Sequence, residues 1–449
     1  MRIADLTWLS KHVFFPLSDI KGRSHRRQYL REMSASQWWD AEKFQTWQIE
    51  QLRGAMSYAF AHVPYYTARY GAAGFKGTLQ SWEDFRRLPF LRKEDIRRSG
   101  DGLISREFRR QDLVEARTGG STGTALTLYF DRRCQELRNA AAMRSNQWAG
   151  WDVGMRVAAI WGNPPVADTL KKKLRNALLD RTIYLDTMDI NQRSVHDFVM
   201  KWRRTKPKMI FGHSHSIYIL AKYLEELGVR DLRPEGIIST SMMLLAPERR
   251  FIEQAFGCAV TDRYGCEEVG LIASECERHN GLHLNLDHVV VEFLREDGSP
   301  AKPGEDANIV VTDLINRGMP LIRYCLGDRG VPSDRICACG RGHPLMERVT
   351  GRQADFLKRP DGSLVAGVSL VERTLTAIPG IEQMQLVQNK LHRITVKLVK
   401  GGEFGDKSES ALKRELRSVF GEAVVIEIQA VPALDQTGAG KYRFSICNV

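Results

Sequence analysis

The chain opens on helical periodicity. Between about residues 25 and 75, apolar side chains recur at helical spacing through Trp38, Trp39, Phe44, Trp47, Leu52, Met56 and Phe60. Pro64, within His62-Val63-Pro64-Tyr65-Tyr66, breaks that run. Leu88-Pro89-Phe90-Leu91-Arg92-Lys93 then reads as a short link into a further helix. From 115 to 350 the pattern changes to short apolar runs alternating with helical stretches. Residues 157–161, 208–212 and 236–240 read as buried strands, and this alternation predicts an α/β sheet. Residues 288–294 and 308–313 read as antiparallel strands. Past Gly351 the character shifts again: a helix (367–378), two strands (381–388 and 391–399), a helix (407–420) and a strand (424–431). That is a compact α+β module of ferredoxin-like kind. The expected fold is α/β, with a large N-terminal domain of mixed sheets and helices over 1–351 and a small α+β C-terminal domain over 352–449.

Composition adds limits. The 449 residues are 43% hydrophobic and 27% charged, ordinary for a globular chain with a sizeable core. No apolar run approaches the roughly 18 residues of a membrane span, and the first residues lack a signal-peptide pattern. A cytoplasmic protein is expected. Much of the formal charge of +12 is scattered, with locally dense groups at Lys21, Arg23, Arg26, Arg27 and Arg31, at Arg92, Lys93, Arg97 and Arg98, and at Lys171, Lys172, Lys173 and Arg175. Without zinc-finger or RNP-type spacing, no nucleic-acid partner is expected. A solvated surface is the plain reading. Trp8, Phe14 and Phe15 beside Lys11, Lys21 and Arg23 keep a weak membrane-surface association open.

The densest candidate chemistry is Arg117-Thr118-Gly119-Gly120-Ser121-Thr122-Gly123-Thr124. Glycines let backbone approach a ligand closely, and hydroxyls with free N–H groups suit phosphate oxygens. The Lys-Ser/Thr ending and following helix of a P-loop are missing, and Leu126–Phe130 reads as a strand. Alone, such a loop is most often a surface turn. Four further islands stand beside it: 263–270 with Tyr264, Gly265 and Glu268; 320–328 ending in Asp328; 349–355 with Arg352; and 437–443 with Lys441.

Together and in this order, over nearly the whole chain, these islands resemble the adenylate-forming ligases, the acyl-CoA synthetases and their relatives. The nearest branch is the phenylacetate–CoA ligase-like group that includes proteins of capsular-polysaccharide gene clusters. The resemblance implies an ATP- and Mg²⁺-dependent ligase that joins a small carboxylic acid to AMP, releases pyrophosphate, and passes the acyl group to coenzyme A or another thiol or amine acceptor. A place in surface-polysaccharide biosynthesis would fit it. Thr118, Gly120, Ser121, Thr122, Gly123 and Thr124 would cradle the pyrophosphate, with Thr122 counted among the catalytic groups. Glu268 would hold magnesium, and Tyr264 and Gly265 would lie against the adenine. Asp328 and Arg352 would meet the ribose, and Lys441 the α-phosphate. Trp161, His213 and Ser239 would line the acid pocket.

Three positions depart from the family pattern. Glu267 stands where a small residue is usual, 238–244 lacks an acid near the adenine, and Ala354 replaces the first hinge acid. They motivate an alternative: a degenerate, non-catalytic member that binds nucleotide or a partner.

Of eight cysteines, only Cys337 and Cys339 are clustered. With Cys276 and His283 they form a thiolate-rich set suited to tetrahedral zinc; unrelated cysteines are the competing reading. Some members of the ligase branch carry a structural zinc between two loops, which implies the same role here. His279, and less so His343, are the other candidates for the fourth ligand.

Overall fold

The computed structural model describes residues 3–117, 126–162, 164–165, 168–187, 190–352, 356–362, 364–435 and 443–449. The amphipathic N-terminal stretch folds as helices Arg26–Ser36, Ala41–His62 and Pro64–Ala72. Asp40 caps the longest, accepting from the Lys43 N–H at 2.8 Å. Pro64 sits in the first turn of the next helix, where its missing N–H costs nothing.

The strands are β1 (Val114–Arg117), β2 (Thr127–Phe130), β3 (Val157–Trp161), β4 (Thr182–Asp186), β5 (Met209–His213), β6 (Gly236–Thr240), β7 (Val260–Cys266), β8 (Gly270–Ser274), β9 (Leu282–Leu284), β10 (Val289–Leu294), β11 (Ala307–Asp313), β12 (Tyr324–Pro332), β13 (Leu345–Arg352), β14 (Phe356–Lys358), β15 (Leu364–Ala366), β16 (Ile381–Lys390), β17 (Arg393–Lys400), β18 (Val425–Ala430) and β19 (Ser445–Cys447). One eleven-stranded sheet has the order β10-β11-β12-β13-β9-β8-β7-β6-β5-β3-β4. Its β4-β3-β5-β6-β7 half is parallel, and the rest is antiparallel. Helices cover the face of the parallel strands that carries Ile160, Ile210 and Ile237. Val195, Phe198 and Trp202 from one helix, Ile217, Leu220 and Leu224 from the next, and Ile252 and Phe256 from a third bury Ile160, Ile210 and Ile237.

The linker after the N-terminal helices is stitched to β12. The Leu91 N–H donates to the Arg323 carbonyl at 3.0 Å, and the Cys325 N–H donates back to the Leu91 carbonyl at 2.9 Å. The buried Arg323 guanidinium locks the joint, pairing with Glu292 at 3.0 and 3.1 Å and donating to the Leu88 carbonyl at 2.6 Å.

The C-terminal sheet has the order β18-β17-β16-β19, backed by helices Gly367–Ala377 and Asp406–Phe420. The expected helix-strand-strand-helix-strand succession is present; the ferredoxin-like order is not. That order places another strand between the two parallel strands of its split unit. Here the helix Asp406–Phe420 carries the chain from β17 to β18, which pair directly and in parallel. The short β19 pairs in parallel with β16. The core of this module reaches past the module itself: Leu245 belongs to it, and Met242 and Met243 pack on it.

Candidate active site

Along the sheet, β7 and β12 stand four strand spacings apart, about 19 Å if the sheet were flat. Their side chains nevertheless meet, so the sheet curls. The Tyr264 hydroxyl donates to the Asp328 carboxylate at 2.8 Å. The Tyr324 hydroxyl donates to Glu268 at 3.2 Å. Glu268 sits in the tight β7–β8 turn and is buried, as is Asp328. Gly265 permits this turn: a Cβ there would lie 2.6 Å from the Gly270 carbonyl oxygen. Burial, and after it the Glu268 carboxylate, pushes the Tyr324 phenol far above its ordinary range, so it remains a neutral donor. The Cys266 thiol is raised for the same two reasons. Asp328 pairs in register with Arg352 across β12 and β13.

Thr118, Gly120, Ser121, Thr122, Gly123, Thr124 and Lys441 lie outside the described residues, as does the Arg352 side chain. The hairpin that flanks the first six is described: β1 and β2 pair from Val114↔Phe130 to Arg117↔Thr127.

On the other side of β7, the carboxyl ends of the parallel strands carry the acid-pocket candidates. Open α/β sheets bind ligands at this edge. Trp161 ends β3, and its ring lies 4.2 Å from the His213 ring at the end of β5. Trp161 also stacks on Phe211 at 5.5 Å. Ser239 on β6 is buried and shares a 2.6 Å hydrogen bond with Ser214, whose hydroxyl also lies 2.9 Å from the Met242 carbonyl. The C-terminal module comes close here: Phe444 meets the His215 ring edge-on at 5.8 Å.

The thiolate set is assembled. Donor atoms of Cys276, His283, Cys337 and Cys339 all lie within 4.8 Å of one another. Two thiolates bound at about 2.3 Å to a tetrahedral ion stand about 3.8 Å apart, and a thiolate and an imidazole nitrogen about 3.6 Å. Cys276 and Cys337 sulfurs are 3.7 Å apart, and Cys339 Sγ is 3.4 Å from His283 Nε2. The dimensions fit zinc. His283 Nδ1 is held by the His343 carbonyl at 2.9 Å, which turns Nε2 into the cluster. Burial lowers the His283 imidazole, favouring the neutral form a metal needs. The Arg278 and Arg341 N–H groups each donate to a cysteine sulfur at 3.4 Å. The two alternative ligands turn elsewhere: His279 to Glu275 at 3.3 Å, and His343 to the Leu284 carbonyl at 2.8 Å.

Two residues of this region carry no sequence signal of their own. Tyr324 stands inside the island 320–328, but no role is read for it there. Arg138, on the helix Arg132–Trp148, donates to the Glu267 carbonyl at 2.7 Å and so braces the turn that presents Glu268.

Comparison with known proteins converges on one group. A family model described as the CapK C-terminal domain matches residues 357–448. Protein CapK of Staphylococcus aureus is 25% identical over 369 residues, 81% of this chain and 80% of the relative. A phenylacetate-coenzyme A ligase of Thermus thermophilus is 28% identical over 357 residues, 76% and 77% of the two chains. Among solved structures, 2-hydroxyisobutyryl-CoA ligase in the postadenylation state, in complex with R3-HIB-AMP, superposes with a TM-score of 0.73. That match covers 92% of this chain and 91% of the other at 18% identity, a likeness of fold.

Proposed function

We propose, for a chain that belongs to the adenylate-forming ligases of the phenylacetate–CoA ligase-like branch, that it activates a carboxylic acid with ATP and transfers the acyl group to coenzyme A. The observation that carries the reading is the convergence of Tyr264–Asp328 and Tyr324–Glu268 beside the strand edge that bears Trp161, His213 and Ser239. A carboxylate oxygen attacks the α-phosphorus of ATP. The bond to the bridging oxygen of pyrophosphate breaks, and pyrophosphate leaves with the electron pair. The acceptor then attacks the acyl carbon, loses its proton to solvent, and expels AMP.

Each residue has a part. Asp328 accepts from the ribose hydroxyls, with Tyr264 fixing its carboxylate and flanking the adenine over Gly265. Arg352, opposite Asp328, adds a ribose or phosphate contact. The segment 118–124 donates to the leaving pyrophosphate, and Lys441 meets the α-phosphate charge. Glu268 holds magnesium, which supplies charge neutralisation at the phosphates. Residues 352–449 act as a small domain that closes over 1–351 and then moves to admit the acceptor. Cys276, His283, Cys337 and Cys339 hold a structural zinc, since four protein ligands leave no open position. An amine acceptor in surface-polysaccharide decoration is the variant to set against coenzyme A.

ATP–pyrophosphate exchange with a panel of aryl, fatty and hydroxy acids tests the reading. Acid-dependent exchange is expected with at least one class. Exchange absent from every class, with nucleotide binding retained, would establish the non-catalytic alternative.

A further inference from the structure

The basic residues near the chain start find an unexpected neighbour. Residues 3–22 form one continuous helical rod, α-helical at both ends with a π-helical turn at Ser10–Phe14. Residues 170–180 form a second rod, with its own π-helical turn at Asn176–Asp180. The two rods meet at these π turns. The crossing is anchored to the sheet: the Arg181 guanidinium donates to Thr7 Oγ1 at 3.0 Å and to the Gly154 carbonyl at 2.8 Å. Lys11 pairs with Asp152 at 2.5 Å.

What the rods leave outside is unusual. Trp8, Leu17, Ile20, Leu170 and Leu174 are 59%, 56%, 68%, 82% and 57% exposed. These are five of the twelve large hydrophobic residues exposed among the described residues, in two short segments, so the exposure is concentrated here. Leu17 and Ile20 share a helix face with Lys21, and Leu170 and Leu174 share one with Lys173. Phe14 and Phe15 are half-buried instead, and the Arg26 guanidinium covers the Phe15 ring at 4.0 Å.

Charge completes the pattern. Residues 3–31 hold six Lys/Arg against two acids, and 168–181 hold five against two, which together give most of the chain's excess of +12. Asp19, Asp152, Asp168 and Asp180 are already paired with Arg26 and Arg27, Lys11, Lys172 and Arg175. Lys21, Arg23, Lys171 and Lys173 are exposed and have no carboxylate within 4.0 Å among the described residues.

We propose that the crossed rods 3–22 and 170–180 form a docking surface for an anionic phospholipid bilayer. Exposed leucines, an isoleucine and a tryptophan interleaved with unpaired cations match such an interface: apolar tips enter the acyl boundary while cations meet lipid phosphates. A protein or nucleic-acid partner that is merely acidic would use the cations and leave the apolar tips in water. No described helix is long and apolar enough to cross a membrane, so the surface lies on the bilayer. The proposal does not rest on adenylation.

Vesicle flotation of the full-length protein tests it. Binding to phosphatidylcholine vesicles containing phosphatidylglycerol is expected, with little binding to phosphatidylcholine alone, and it falls as salt rises from about 0.1 to 0.5 M. Lys21→Gln/Lys171→Gln/Lys173→Gln should cut partitioning about a hundredfold, near fivefold per cation. Leu17→Ser/Ile20→Ser/Leu170→Ser/Leu174→Ser should cut it at least about tenfold. Both variants should keep the wild-type Tm. Absence of binding, equal binding to neutral vesicles, or wild-type binding by the serine variant overturns the proposal. Binding to duplex DNA that survives the serine changes and exceeds vesicle binding assigns the surface to nucleic acid instead. Should the serine variant misfold, brominated lipids give a second readout: they should quench wild-type tryptophan fluorescence more than that of Trp8→Phe, and equal quenching overturns the proposal.

Discussion

Tyr324→Phe removes one oxygen and tests the heart of the site. The hydroxyl donates to Glu268, the proposed magnesium ligand, at 3.2 Å. A hydrogen bond to a charged group contributes about 1.5–3 kcal/mol. Strong charged O–H···O bonds run at about 2.5–2.7 Å, so 3.2 Å places this one at the weak end, about 1.5 kcal/mol, or roughly tenfold in an equilibrium or rate. The ring stays, so packing against the buried core should change little. In pyrophosphate exchange with an acid identified by the panel, the Mg²⁺ concentration for half-maximal rate should rise about tenfold, with the KM for the acid unchanged. Glu268→Gln, which removes the carboxylate itself, should nearly abolish exchange. An unaltered Mg²⁺ dependence in Tyr324→Phe would refute the positioning role. A loss of exchange matched by a large drop in Tm would make Tyr324 a packing residue only.

Other expectations follow from separate parts of the molecule. Cys339→Ser should lower zinc content and Tm together, because a structural metal contributes folding free energy; elemental analysis of the wild type at fewer than about 0.2 zinc per chain would remove the site. Lys441→Ala should slow acyl-adenylate formation about a hundredfold while sparing acyl transfer from a supplied adenylate, and equal slowing of both would make it a folding residue. Burial, against the raising pull of Asp287, holds the His288 imidazole at about 4. Its folded pKa is depressed, so the neutral form's stability is complete above the ordinary value of about 6.5 and is lost as pH falls from there toward 4. That is about 2 kcal/mol between pH 7 and 5, and urea unfolding of His288→Gln should show the pH dependence smaller by that amount. An identical pH dependence in the two proteins would show that His288 does not stay neutral.

Local physics carried the sequence a long way. Helical spacing through Phe44–Phe60 and the apolar runs at 157–161 and 236–240 announce helices and strands because burial on one face or both is a property of a few consecutive residues. Trp38 and Trp39, read as part of the same helical run, fall instead in the turn between two helices. The order of the motif islands was equally legible, and it leads to the ligase fold. Pairings across distance were not legible. Ser445–Cys447 is too short to show a period and becomes a strand only because β16 offers an open edge. Cys276 and Cys337 are 61 residues apart, and spacing alone leaves His279, His283 and His343 as rivals. The tertiary fold decides among them, since a backbone carbonyl points His283 into the cluster while Glu275 and the Leu284 carbonyl hold the other two. Tyr324 meets Glu268 only because the sheet curls. In sequence the basic residues of 3–31 and 168–181 read as solvated surface, with a weak membrane association open for the first stretch alone; the crossing at two π-helical turns brings the two stretches together. A side chain's neighbours along the chain are set by the sequence, whereas its neighbours across the sheet depend on the curl and register of every strand between them.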